Sequence, residues 1–173
     1  MNEFKKIVDR HRHGVYTFAF YSLGNHEEAE DITQEVLIRL WQNWDGLRRE
    51  SLTAWLNRVT RNACIDRARQ RRAYSRRVVA NGTGGDVYEG ASSEPSPEAY
   101  VESNEIKNHI RHALTQINEP YRSIMILREI QQLKYEEIAD TVDLPLNTVK
   151  SYLHRGRRML RDRLKEALSD ERV

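Results

Sequence analysis

The sequence predicts an all-α protein of two small helical domains, and three observations carry that prediction. Apolar residues recur at three- and four-residue spacing through both ends of the chain, no stretch alternates apolar and polar residues as a half-buried strand would, and a glycine-, serine- and acid-rich segment breaks the helical pattern near the middle. A length of 173 residues suits one ordinary domain or two small ones. With 39% hydrophobic and 31% charged residues, the chain can build small helical cores beneath a heavily charged surface.

Taken in order, Phe4, Val8, Val15, Ala19 and Leu23 mark an amphipathic helix from Asn2 to about Leu23. Asn25 with Glu28 three residues on resembles a capping box, and acids at 27 to 31 suit the positive end of a helix, so a second helix begins near His26. Its stripe is Ala29, Ile32, Val36, Leu40 and Trp44, widened by Leu37 and Trp41, and it stops near Asp45-Gly46. After the polar loop from Gly46 to Glu50, Ser51 can cap a third helix carrying Trp55, Leu56, Val59, Ala63 and Ala68, whose far end turns basic. Three such helices with short connections make an antiparallel bundle, residues 1–78. Residues 79–96 bury too little apolar area to offset chain entropy and read as a flexible linker. The second domain, 97–173, opens with Ser96 as N-cap and Pro97 at the first helical position, followed by Val101, Ile106, Ile110, Ala113, Leu114 and Ile117. Pro120 starts another helix with Tyr121, Ile124, Met125, Leu127 and Ile130 inside, and two further signals run from Tyr135 to Val142 and from Asn147 onward.

The net charge is only +2, so distribution matters more than sum. Acids gather at 26–31 and between Glu89 and Glu105; bases gather in Arg67 to Arg77 and in Lys150 to Lys165. Cys64 stands alone, which excludes an internal disulfide, and it reads as a small buried hydrophobe rather than a redox sensor. The histidines at 11, 13, 26, 109, 112 and 154 lack a metal-ligand pattern, so no metal, cofactor or catalytic constellation is expected, and the chain does not read as an enzyme. No segment approaches the roughly 20 apolar residues of a membrane span, and the first residues carry no apolar signal region. The expected compartment is a reducing, bacterial-type cytoplasm.

The residues from Leu133 to Leu164 fit a helix-turn-helix. Ala139 is the small residue where the helices cross, Asp143 the turn, and Val149 the return contact, with Ile138, Val142 and Leu153 completing the core. The turn position usually wants glycine for positive φ, which aspartate tolerates at some cost. The second helix would expose Asn147, Thr148, Lys150, Ser151, Tyr152, His154, Arg155, Arg157 and Arg158. Lys, Asn and Ser can pair with base edges in a major groove, while Arg and backbone amides hold phosphates. A generic helical hairpin with a solvated basic face is the alternative.

Two stretches together resemble a known family. Ala29-Glu30-Asp31-Ile32-Thr33-Gln34-Glu35-Val36 with Leu40-Trp41, and Tyr135-Glu136-Glu137-Ile138-Ala139 with Leu146-Asn147-Thr148-Val149-Lys150-Ser151-Tyr152-Leu153-His154-Arg155-Gly156-Arg157, are similar to the extracytoplasmic-function sigma factors of bacteria. The resemblance implies a subunit that binds core RNA polymerase, directs it to promoters and helps open the DNA. It places Asp31, Gln34, Glu35, Ile38, Arg39, Leu40 and Trp41 against the clamp helices of the beta-prime subunit. For the acids a solvated helix start, and for Ile38 and Trp41 an ordinary core stripe, stand as equal alternatives. It also places melted minus-ten DNA on the loop from Gly46 to Thr53 and the third helix: Arg48, Arg49, Ser51, Trp55, Asn57, Arg58, Arg61, Asn62, Asp66, Arg67, Arg69 and Arg71. Capture of a flipped base and cations tracking a separated strand agree in kind, although Trp55 reads better as core. The minus-thirty-five element falls to Lys150, Ser151, His154 and Arg155, with Tyr152 departing from a frequent arginine. The second domain would meet the beta-subunit flap, and the linker would lie along the RNA-exit path or serve as a plain spacer.

The resemblance further implies an anti-sigma partner, with no membrane insertion but indirect tethering through that partner open. Two other readings compete. A conventional regulator sharing the C-terminal motif would need a receiver or ligand domain with strands and a pocket, and the first half shows neither; an adaptor would leave the two basic blocks unexplained.

Overall fold

A computed structural model describes residues 2–80 and 101–170, with side chains from 3 to 80 and from 104 to 169. Among these residues all regular structure is helical: α1 (Asn2–Leu23), α2 (His26–Gln42), α3 (Leu52–Ala80), α4 (Val101–Thr115), α5 (Tyr121–Met125), α6 (Tyr135–Val142) and α7 (Leu146–Asp170). Single 3-10 turns at Trp44–Gly46 and Arg49–Ser51 replace the expected loop, and a widened turn over Ile126–Ile130 extends α5. Val79 and Ala80 close α3 rather than open a linker; residues 81–96 and the Ser96-Pro97 helix start lie outside the described residues.

The α1–α2 corner forms where expected. Gly24 takes φ +73, a left-handed value that costs a side-chain-bearing residue about 1–2 kcal/mol. A Cβ there would also meet Thr115 Cγ2 at 2.9 Å. Asn25 Oδ1 accepts the Glu28 amide at 2.9 Å, satisfying one of the orphan donors of α2. α2 buries Ala29, Ile32, Thr33, Val36 and Leu40, with the Thr33 hydroxyl donating to the Ala29 carbonyl. α3 buries Leu52, Leu56, Thr60, Ala63 and Cys64, while Trp55, Val59 and Ala68 pack half-buried beside them. Ser51 does not cap α3 as expected: its hydroxyl donates back to the Arg48 carbonyl at 3.1 Å, inside the preceding 3-10 turn.

In the second half α4 turns Ala113 and Leu114 inward, joined by Ile117 beyond its end, whereas Ile106 faces outward against the expected stripe. α5 is buried from Arg122 to Met125. Gly156 of α7 lies so close to it that a Cβ would stand 2.8 Å from Met125 Cγ. Between α6 and α7, Asp143 adopts φ 56 and ψ 50, the left-handed turn the motif requires, and the Leu144 amide donates to the Ala139 carbonyl at 3.2 Å. Ile138, Val142, Val149 and Leu153 are buried and Ala139 is half-buried at the crossing.

The two halves, α1–α3 and α4–α7, also pack on each other. α1 lies against α4 and the Ile126–Ile130 turn, and α3 lies against α6. Three side chains cross the seam to backbone carbonyls: Arg122 Nη1 to Ser22 at 3.0 Å, Gln131 Nε2 to Gly14 at 2.8 Å, and Arg58 Nη2 to Asp140 at 2.7 Å. Arg111 adds a guanidinium 4.9 Å from the Phe20 ring. The buried apolar residues of both halves form one continuous cluster, each fully buried aliphatic contributing about 1.5–3 kcal/mol.

Candidate functional site

Three surfaces gather the residues singled out in the sequence. The first is the outer face of α2. At about 100° per residue, Asp31, Gln34, Glu35, Ile38 and Trp41 fall on one side of the helix, and Leu40, nine residues from Asp31, falls on the opposite side. Ile38 is 56% and Trp41 65% exposed, so neither belongs to the core stripe that was the alternative reading. Leu40 is 0% exposed: assigned to the partner face, it instead holds α2 to the bundle. Trp41 is steadied by Phe4, whose ring meets it edge-on at 5.3 Å and meets Trp44 at 4.9 Å. Phe4 had been read only as part of the α1 stripe. Arg39 pairs with Glu35 one turn back, and Asp31 reaches Arg67 of α3 at 3.5 Å.

The second surface comprises the 3-10 turns and α3. Here the cations differ sharply in what they already hold. Arg49 is a strut: Nε donates to Glu3 at 3.0 Å, Nη1 to the Leu47 carbonyl at 3.1 Å, and its guanidinium lies 3.8 Å over the Trp44 ring. Arg58 is bonded to Asp140 across the seam, and Arg71 donates to Glu28 at 2.9 Å. Asp66 and Arg69 stand 3.8 Å apart. Arg48 and Asn62 are exposed, Asn57 is half-buried, and Arg61 keeps a buried Nε with no protein partner among the described residues. Trp55 packs against the core, as the residue pattern favoured.

The third surface is the first half of α7. Asn147, Lys150, Ser151, His154, Arg155 and Arg158 are exposed at helical spacing, forming a polar and basic ridge, with Thr148 half-buried at its edge. Two residues expected on this ridge are engaged elsewhere. Tyr152 packs its ring 4.8 Å from Tyr121, and Arg157 donates to Glu129 at 2.7 Å. Arg128 sits 4.7 Å over the Tyr135 ring and donates to the Leu133 carbonyl, pinning the start of α6.

Sequence reasoning passed over Arg122. It is 4% exposed, donates to the Ile117 and Ser22 carbonyls, and burial lowers its pKa. Only chain topology reveals this, since Ser22 is a hundred residues away. Cys64 is buried, and desolvation pushes its thiol well above the ordinary range, so it is neutral and inert in the folded chain. Among the described residues no cluster of His, Cys, Asp or Glu could hold a metal ion, and no helix is long and apolar enough to cross a membrane.

Comparison with known proteins finds two family models in the chain. Residues 7–74 match the family model Sigma-70 region 2, and residues 107–160 match Sigma-70, region 4. The chain is 34% identical over 167 residues to the ECF RNA polymerase sigma factor SigW of Bacillus subtilis, covering 94% of this chain and 89% of that protein. It is 31% identical over 170 residues to the ECF RNA polymerase sigma factor SigE of Mycolicibacterium smegmatis, covering 98% of this chain but 65% of that protein. Among solved structures, the sigma factor RpoE from Bartonella quintana, crystallised with the anti-sigma factor NepR, superposes with a TM-score of 0.76 at 25% identity, covering 95% of this chain and 98% of that one.

Proposed function

We infer, from the premise that this chain belongs to the ECF RNA polymerase sigma factor family, how its three surfaces divide the work of promoter-directed initiation. The outer face of α2 docks core polymerase through Ile38 and Trp41, rimmed by Asp31, Gln34, Glu35 and Arg39. The observation that carries this assignment is the pair of large apolar side chains held at 56% and 65% exposure beside a well-filled core. An apolar patch within a polar rim is the pattern of a protein-binding site.

The minus-ten surface is formed by Arg48, Asn57, Arg61, Asn62, Arg67 and Arg69, with Arg49 positioning the turn rather than touching DNA. The minus-thirty-five surface is the α7 ridge, where Asn147, Lys150, Ser151, His154 and Arg155 meet the groove and Arg158 meets phosphate. Tyr152 and Arg157 support that ridge from behind through Tyr121 and Glu129. The chain acts by binding, in the cytoplasm where polymerase works, and not by catalysis. An anti-sigma factor restrains it, a reading supported by the superposition on a sigma factor solved with such a partner.

Transcription with purified bacterial core polymerase on a genomic fragment library tests the whole. Starts that share upstream sequences and depend on added protein are expected. A chain that shifts duplex DNA alone, without binding core or changing initiation, would be a conventional regulator instead.

A further inference from the structure

A cavity of about 470 Å³ opens on the seam between the two halves, floored by Cys64 and Ser22 and walled by Arg69, Arg72 and Arg76 of α3 and by Glu119 and Arg122 of the second half. Its charge is unbalanced. Glu119 is the single carboxylate among four guanidiniums, and it accepts from the Ser123 amide and hydroxyl. Among the described residues Arg72, Arg76 and Arg122 form no ion pair, although Arg122 is 96% removed from solvent and shares the space with like charges. Burying a guanidinium is costly unless it is paired, and the one carboxylate acting on Arg122, Glu119, is opposed by Arg71 and Arg72. The Nε and Nη1 atoms of Arg122 are satisfied by carbonyls, which carry no net charge, so the excess positive charge facing the cavity persists.

We propose that this cavity binds a small polyphosphate anion, a di- or triphosphate group, held between Arg122 on one half and Arg72 and Arg76 on the other. The volume lies within the range of small-molecule sites and is far too small for a duplex. Guanidinium forks match phosphate oxygens two at a time, and the ladder Arg69, Arg72, Arg76 at helical spacing presents successive forks along one wall. Because both halves supply the walls, the ligand binds only while they are packed together. At a hundred times its Kd it favours that arrangement about a hundredfold. On the function inferred above, such a ligand holds the sigma factor away from its promoter.

The test is calorimetric titration of the full chain with sodium tripolyphosphate, and with sulfate as control, at constant ionic strength and without polymerase, so its failure is separate from failure of the sigma-factor reading. One site per chain is expected. Arg72→Gln and Arg76→Gln, both at exposed positions, should each weaken it tenfold or more, while Arg77→Gln, on the same helix outside the cavity, should change it less than twofold. Equal weakening by Arg77→Gln, several weak sites, or sulfate binding as well as tripolyphosphate would reduce the cavity to general charge attraction. Competition by a ten-nucleotide single strand with the same dependence on Arg72 and Arg76 would assign these arginines to DNA and overturn the small-ligand site.

Discussion

Replacing Trp41 with alanine, beside the adjacent replacement of Leu40, separates binding from folding within one turn of α2. Trp41 is 65% exposed. A tryptophan side chain presents up to about 250 Å², so roughly 160 Å² awaits a partner, worth about 4 kcal/mol gross at 25 cal/mol per Å². Buried aromatic anchors commonly cost 2 kcal/mol or more when truncated, which is at least about thirtyfold in Kd. Within the chain Trp41 has its edge contact with Phe4, worth about 0.5–1.5 kcal/mol. Trp41→Ala should therefore weaken core polymerase binding thirtyfold or more with under about 1.5 kcal/mol lost from stability. Leu40 is fully buried, so Leu40→Ala should cost about 2–5 kcal/mol of stability. Its binding to core, measured on the folded fraction, should stay near that of the parent. Urea unfolding gives the stabilities, and anisotropy of a labelled chain titrated with core gives the affinities. If Trp41→Ala bound core within twofold of the parent while remaining folded, the α2 face would not be the docking surface.

Other outcomes follow from single features. Asp143→Gly relieves the strain of φ 56 and should raise stability by about 0.5–1 kcal/mol in thermal unfolding; a loss would mean that the aspartate side chain stabilises the turn. Gly156→Ala pushes a methyl to 2.8 Å from Met125 Cγ, within a buried contact, and should cost about 1–3 kcal/mol; combined with Met125→Ala, itself worth about 2–5 kcal/mol, the double variant should lose less than the sum of the two single losses. Lys150→Ala and Arg155→Ala should each weaken promoter binding by about 1–3 kcal/mol if the side chain meets a base, with less sequence dependence if it meets phosphate; unchanged promoter-specific transcription in both would remove α7 as the reader. Burial raises the Cys64 pKa, so the unfolded chain releases that proton first: stability is intact below the ordinary thiol value of 9.0 and falls by up to about 1.4 kcal/mol per pH unit above it. Cys64→Ala should flatten the alkaline limb of a stability-pH profile.

The helix-turn-helix was legible because its signals are local. A small residue, a turn and a return contact at fixed spacing all lie within a dozen residues, and Asp143 takes the left-handed turn that spacing demanded. The α2 face was half legible. Leu40 and Trp41 are neighbours about 100° apart on the helix and both apolar; the spacing of Ala29, Ile32 and Val36 already put Leu40 on the core side, whereas the exposure of Trp41 at the edge of that stripe depends on how α2 packs against α1 and α3. What stayed hidden depends on partners distant in sequence. Arg49 reads as a free cation until Glu3 closes on it, and Arg157 reads as one until Glu129 does, 46 and 28 residues away. Ser51 reads as a cap by residue type, yet a 3-10 turn just before α3 gives its hydroxyl a nearer carbonyl. Arg122 and the seam it crosses could not be read at all, since periodicity reports which face of a helix is buried but not what buries it.

The seam has a consequence in distance. Promoter elements centred roughly 25 base pairs apart lie about 85 Å apart along B-form DNA, at about 34 Å per ten base pairs. The longest helix of the packed body, α3 with 29 residues, runs about 44 Å at 1.5 Å per residue. With α1 and α3 resting on α4 and α6, the packed chain falls well short of the interval that the proposed minus-ten and minus-thirty-five surfaces would span. On the proposed assignment, reading both elements at once would require Arg58, Arg122 and Gln131 to release their carbonyls and the shared apolar seam to be exposed. On the same assignment, a polymerase that berths the two halves apart would set the gauge between elements that the packed chain by itself is too short to measure.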